Sequence, residues 1–328
     1  MEKEDVLELV DKYSEIPAFW EIGKRIASWD FDSERVVILL FDGLGGIDLK
    51  LDEFRKQRFR APFPSSTPTF FYSLWSGLPP GEHGYVEWFM RYKDKIITVP
   101  PWRDLDDNPV NASYEEVFPF ESISEKALKK GKSSALVTCY PDTLFTLASS
   151  KGTDKIKAEN IEEFLNIDFT GYDLYILYSA SPDDFLHGDN DRNRLLSFMD
   201  RARIVVEKIW GLLPADTKLI VGSDHGLVKA SNRIRLEPAS SMPVGGSRVA
   251  FYQDIDEAEL EKFGIPFDVD EFKPLMGKPS HRLVSQYGDE MVLANGYFDF
   301  PYRETNDKAF HGGLSKEEMI VNVWERTK

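Results

Sequence analysis

Four short runs along the chain are almost purely apolar: VVILLF (36–41), SSALVT (133–138), DLYILYSA (173–180) and KLIVGS (218–223). A strand with one face in water alternates apolar and polar residues, whereas a strand covered on both faces has no need to. These runs therefore read as interior strands of a sheet with helices on either side. Helical patterns fall around and between them, at 46–57, 67–76, 121–131, 160–166 and 189–213. In the last of these, Leu195, Leu196, Met199, Ile204, Val205 and Ile209 are spaced to share one face. The alternation predicts an α/β fold built on a doubly wound, mostly parallel sheet. Two stretches interrupt it. Residues 86–118 contain EWFMRYKDKIITVPPW, which reads as a hairpin followed by an irregular loop. Residues 229–310 are rich in Pro, Gly and aromatics, with RVAFYQDI and EMVLANGYF as further strands. The expected organisation is a core of residues 1–228 and 311–328, with 229–310 as a smaller cap inserted before a last core element, HGGLSKEEMIVNVW.

Composition narrows the chemistry. The 328 residues are 42% hydrophobic and 13% aromatic, which supports a sizeable core. Acidic residues outnumber basic ones by 56 to 40, a net charge of −16. That excludes a duplex nucleic acid as the natural partner, because such binding needs Lys and Arg to displace counterions. Phosphate substrates are still open to an acidic chain if bound metal supplies the cations. The one cysteine, Cys139, follows an apolar run and reads as a small buried hydrophobe. No stretch approaches the ~20 apolar residues that span a bilayer. The N-terminal MEKEDVLELVDKY is an acidic amphipathic helix with no signal-peptide pattern. Together these predict a cytoplasmic protein that does not engage a membrane. Oligomeric state is left open.

Candidate chemistry gathers at the ends of the core strands, where open α/β sheets keep their ligand crevices. Asp42 follows the first run, Asp183 and His187 the third, and Asp224 and His225 the fourth. His311 opens the last core element. Carboxylates mixed with imidazoles suit zinc, manganese or iron better than magnesium or calcium. Six such ligands match two divalent ions with open positions. A nucleophile is available in PSSTPTFFYSLWSG, residues 64–77, where Ser, Thr and Pro precede an apolar helix. Thr67 fits the N-cap and Pro68 the first helical position. A hydroxyl there would meet the free N–H groups and partial positive charge of the helix start. Alternatively Thr67 is a cap and nothing more.

In order and position, FDGLGG, PSSTPTFFYSLWSGLPPGEHG, PDDFLHG, SDHG and HGGLS resemble the alkaline phosphatase superfamily, and most of all its type I phosphodiesterase/nucleotide pyrophosphatase branch. The similarity runs from residue 36 to about 323, and HGGLSKEEMIV also resembles the end of PglZ-type domains. The resemblance implies an alkaline phosphatase-like core and a hydrolase that cleaves phosphodiester or nucleotide pyrophosphate bonds through a phospho-threonine. It implies that Asp42, Asp224 and His225 hold one metal ion, which also binds Thr67. Asp183, His187 and His311 would hold the other. Zinc is the expected metal, with manganese as the alternative. The expected substrate is a small phosphoester such as a nucleotide.

The resemblance is not perfect. Three residues after the nucleophile, where these pyrophosphatases usually carry Asn, this chain has Phe70, which weakens an assignment of nucleotide diester specificity. A phosphomonoesterase or phosphomutase of the same superfamily is the alternative, and it would need an extra cation for its extra anionic oxygen. Arg91, Lys93, Arg248, Arg282 and Arg303 are the candidates. A PglZ-like interaction module with little catalysis is the third reading. His83 reads as structural, and His281 has no assigned role.

Overall fold

The apolar runs become the interior of a seven-stranded sheet. Residues 2–189 and 191–328 are described in the computed structural model. In chain order the strands are β1 (Arg35–Phe41), β2 (Arg55–Arg60), β3 (Ser134–Thr138), β4 (Asp154–Lys157), β5 (Leu174–Ser179), β6 (Thr217–Gly222) and β7 (Ile320–Thr327). Their lateral order is β2-β7-β6-β1-β5-β3-β4. The β6–β1, β1–β5, β5–β3 and β3–β4 pairs are parallel, and β7 runs antiparallel to both β6 and β2. The expected mostly parallel sheet is therefore observed, with β7 as the reversed strand. Alternate residues of β1 enter separate cores. Val36, Ile38 and Leu40 join one, while Val37, Leu39 and Phe41 join the other. Burial on both faces is why VVILLF shows no alternation.

Helices follow where the pattern was strong. Helix α1 (Thr67–Ser76) is almost wholly buried. A short α2 (Asp183–Gly188) precedes the long α3 (Arg192–Leu212). The buried stripe of α3 is Phe198, Ala202, Val205, Val206 and Ile209. Leu196 and Ile204 stand outside it, 48% and 42% exposed, because their positions point roughly opposite the stripe at 100° per residue. The helix expected at 46–57 does not form. Turns and irregular backbone cover residues 46–54, and β2 follows. β2 carries RKQRFR, a polar edge strand with no apolar run, and it is held by pairing such as Phe59 opposite Val321. Charged residues suit an exposed sheet edge, and they conceal the strand from a hydrophobic pattern. Cys139 is half-buried rather than fully interior.

A second seven-stranded sheet is wholly antiparallel. It joins the hairpin Phe89–Tyr92 and Lys95–Thr98, with the short edge strand Arg103–Asp104, to strands Val244–Gly245, Val249–Tyr252, Ile265–Asp268 and Glu290–Leu293. The two interrupting stretches of sequence thus meet in one sheet. Its aromatic content is packed rather than exposed, for example Phe89 against Phe300 and Tyr302 at 5.5 and 5.2 Å between ring centroids.

The strand order determines where chemistry can gather. β1 lies between β5 and β6, with Phe41 opposite Ser179 and Leu40 opposite Gly222. The residues leaving these three carboxyl ends are therefore neighbours in space. Gly222 is required by packing: a Cβ there would lie 2.5 Å from the Phe19 ring.

Candidate active site

Asp42, Thr67, Asp183, His187, Asp224, His225 and His311 come together at the carboxyl ends of β1, β5 and β6. Thr67 is the first residue of α1, and Ser66 occupies the N-cap, one position earlier than the sequence suggested. The Thr67 hydroxyl caps nothing. Its Oγ1 lies 3.2 and 3.4 Å from the two oxygens of Asp42 and 3.0 Å from His225 Nε2. Pro at the second helical position has no N–H to satisfy, so the helix can start here without the threonine side chain.

His225 is fixed by its other nitrogen. Nδ1 lies 3.2 Å from the Gly226 carbonyl, which only accepts, so the neutral ring carries its proton there. The Nε2 lone pair then faces Thr67 Oγ1, Asp42 Oδ1 at 3.5 Å and Asp224 Oδ2 at 3.4 Å. A lone pair turned toward two carboxylate oxygens is repulsive unless a cation lies among them. Asp224 Oδ1 accepts from the backbone N–H groups of Gly43 at 3.1 Å and His225 at 2.9 Å, while its Oδ2 is buried without a partner. Gly43 is in the left-handed region, φ +71°, and a Cβ on it would stand 2.9 Å from Asp183 Oδ1. The FDG turn therefore needs glycine both for its backbone and for room beside the carboxylate.

On the other side, Asp183 and His187 share one face of α2, with Nε2 3.2 Å from Oδ2. The His311 ring lies 5.1 Å from that of His187 and stacks on that of His225 at 4.1 Å. Asp183 Oδ1, His187 Nδ1 and His311 Nδ1 are buried with no hydrogen-bond partner. Potential ligand atoms cluster as Asp183–His187–His311 and as Asp42–Asp183–His225, so Asp183 belongs to both groups. Orphaned carboxylate and imidazole atoms gathered in one place fit bound metal, because such atoms are costly to bury unpaired.

Electrostatics point the same way. Burial, then the charges of Asp224 and Asp183, push the Asp42 carboxyl well above its ordinary range. Burial pushes Asp183 up too, but the charge and hydrogen bond of His187 outweigh it and hold Asp183 low. Burial works against a charged His187, yet Asp183 raises it to about 9. Burial, then His225, drives His311 well below the ordinary histidine value. Cations would relieve the strain on Asp42, a carboxylate crowded by two others.

Two contributors escaped the sequence reading. Tyr178, in β5, donates its hydroxyl to Asp42 Oδ2. Asp307 lies 3.6 Å from His187 Nδ1, the position of a carboxylate that orients a ligand imidazole. The signal for Tyr178 was a phenol near the carboxyl end of a fully buried strand, LYILYS. The irregular segment around Asp307 gave none.

The site opens into a cavity of about 570 Å³ whose walls include Phe71, Trp75, Trp88, Phe89, Phe298 and Phe300. Phe71 packs edge-on against Tyr178 at 4.8 Å. Phe70 instead points into the core, fully buried against Phe19, and offers the cavity no polar group. Of the five candidate cations, Arg303 alone lines the cavity. Arg91 donates to the carbonyls of Tyr287 and Met242, and Lys93 pairs with Glu116 at 3.2 Å. Arg248 pairs with Glu318 at 3.1 Å, and Arg282 lies over the Tyr85 ring at 4.9 Å.

Residues 36–243 match the family described as type I phosphodiesterase / nucleotide pyrophosphatase. No curated protein matches the chain by sequence. Among solved structures, human ectonucleotide pyrophosphatase/phosphodiesterase 5 is similar with a TM-score of 0.66 at 15% identity, covering 88% of this chain and 87% of that one. The inactive murine form of that protein, in complex with AMP, gives 0.65 at 16% identity, with 89% and 87% coverage. Phosphonoacetate hydrolase from Sinorhizobium meliloti 1021, in complex with phosphonoacetate, gives 0.60 at 14% identity, with 90% of each chain covered.

Proposed function

This chain belongs to the type I phosphodiesterase / nucleotide pyrophosphatase family of hydrolases, and from that premise we propose that it cleaves a small phosphodiester or pyrophosphate through a phospho-threonine on Thr67. The carrying observation is the placement of Thr67 Oγ1 at the start of α1, 3.0 Å from His225 Nε2 and 3.2 Å from Asp42 Oδ1. Asp42, Asp224 and His225 would hold one divalent ion beside Thr67, and Asp183, His187 and His311 a second. The histidine-rich donor set favours zinc, with manganese as the alternative. When bound, such ions supply Lewis acidity and charge neutralisation.

The chain's own groups then do the following. Thr67 Oγ1, its proton released to solvent, forms a bond to phosphorus. The bond to the leaving oxygen breaks on the opposite side. The N-terminal N–H groups of α1 point toward the phosphoryl oxygens and favour their charge. Water later forms a new bond to phosphorus and releases Thr67. The aromatic walls exclude bulk water and receive the leaving group. Diester or pyrophosphate is favoured over monoester because no Lys and a single Arg line the cavity among the described residues. The AMP-bound murine relative supports a nucleotide as one substrate class.

The test compares bis-p-nitrophenyl phosphate with p-nitrophenyl phosphate on protein of measured metal content. The expected result is a preference for the diester with zinc or manganese. In Thr67→Ala, turnover should fall by about a thousandfold or more with metal content unchanged. Undiminished turnover in that variant would remove Thr67 as nucleophile, and a monoester preference would move the assignment to the phosphatase branch.

A further inference from the structure

Glu87 has no part in the chemistry above, yet it is built into the same cavity. It lies in GYVEWF, is 1% exposed, and lines the cavity together with Asp42, Thr67 and His311. Its backbone is held at φ +58°, a conformation that side-chain-bearing residues seldom adopt. Its N–H donates to Thr69 Oγ1 at 3.0 Å, and Thr69 Oγ1 in turn lies 2.8 Å from Ser66 Oγ. The residue is thereby fastened to the first turn of α1. Space for the carboxyl is left by two glycines from distant parts of the chain. A Cβ on Gly246 would lie 2.0 Å from one oxygen, and a Cβ on Gly312 would lie 2.3 Å from the other. Gly312 adjoins His311, and Ser66 adjoins Thr67. After all this anchoring, Oε1 is still buried with no hydrogen-bond partner.

Such a group costs stability unless something else completes it. Burial is the main influence on the carboxyl and pushes it up to about 8, against a hydrogen bond from Ser66 that lowers it and with the like charge of Glu318 adding to the rise. The substrate's non-bridging oxygens are negative and accept hydrogen bonds only. A neutral carboxylic acid has one O–H to give, and apolar sites are known to keep acids neutral for that purpose. We propose that Glu87, as an un-ionised acid, donates its O–H to a non-bridging oxygen of the phosphoryl group that Thr67 attacks. The proposal rests on the hydrolase reading and adds to it a catalytic residue from the second sheet's side of the cavity.

Glutamine keeps both shape and a donor, whereas methionine keeps only the shape. The test is calorimetric binding of inorganic phosphate to metal-loaded wild type, Glu87→Gln and Glu87→Met, alongside turnover of bis-p-nitrophenyl phosphate. Glu87→Gln should stay within about threefold of wild type in phosphate Kd, while Glu87→Met should weaken it by about tenfold and lower kcat by about a hundredfold at unchanged metal content. Glu87→Met should also unfold at a higher temperature, since it removes an unpaired buried carboxyl. Wild-type phosphate affinity in Glu87→Met would overturn the proposal, as would a loss in Glu87→Gln equal to that in Glu87→Met. If the wild-type protein itself neither binds phosphate nor turns over ester, the hydrolase reading fails and the role of Glu87 falls with it.

Discussion

At the scale of single residues, the site is defined by atoms that lack partners. Asp224 shows this most clearly: one oxygen is fully engaged by backbone N–H groups, and the other is orphaned and 3.4 Å from a histidine lone pair. Asp224→Asn retains the shape and the N–H acceptor but discards the charge. Metal stoichiometry, read by elemental analysis, should fall by one ion per chain, with activity down by about a hundredfold or more. Full metal retention would overturn the assignment of Asp224 as a ligand. These residues were legible in the sequence because Asp and His recur at the ends of apolar runs. Tyr178 and Glu87 were not. Each sits inside a buried run where an aromatic or a lone acid reads as packing or as surface, and only the register of β5 against β1 shows what the phenol touches.

At the scale of elements, α1 is held in place by its exit as well as its entry. His83 is fully buried just beyond it. The Tyr85 N–H donates to its Nδ1 at 3.1 Å, so the neutral ring's proton lies on Nε2 and donates to Ser73 Oγ at 2.9 Å. A second proton would have to sit on Nδ1, against an N–H. Burial, then Arg282, accordingly lowers the His83 pKa to about 3. The folded value lies below the unfolded one, near 6.5. The unfolded chain therefore binds more protons between those limits. Stability from this group is complete above about pH 6.5 and is lost as pH falls toward 3, by up to about 1.4 kcal/mol per unit. Urea midpoints at pH 7 and pH 5 should separate more in wild type than in His83→Gln, and an equal separation would exclude His83 as the source. Legibility differed by element for a physical reason. Runs buried on both faces announce themselves, as in β1, β5 and β6. The polar edge strand β2 is specified by its partner β7 rather than by its own residues, so no apolar run marks it.

At the scale of the whole molecule, a chain with a net charge of −16 gathers three of its aspartates around one point, and among the described residues Arg303 is the one Arg or Lys lining the cavity there. Metal binding to this arrangement should contribute stability that the free protein lacks. With free zinc a hundredfold above Kd, each ion adds about 2.7 kcal/mol. Chelator treatment should therefore lower Tm and zinc should restore it, while a Tm indifferent to both would contradict metal binding at the site. Among the described residues no helix is long and apolar enough to cross a membrane.

One further feature joins two distant segments of the chain at the edge of the site. Val228 and Phe310 exchange backbone hydrogen bonds of 2.8 and 2.9 Å. This short bridge clamps the segment that carries Asp224 and His225 to the one that delivers His311. The cavity wall from Phe298 to Asp307 lies immediately before the clamp. The bridge stands between this wall and His311 in the chain. Residues 298–306 can thus change for a new leaving group while Asp307 stays beside His187 and the bridge keeps the imidazole at 311 in place. The same bridge is a natural splice point for transplanting walls between relatives to exchange their tastes in substrate.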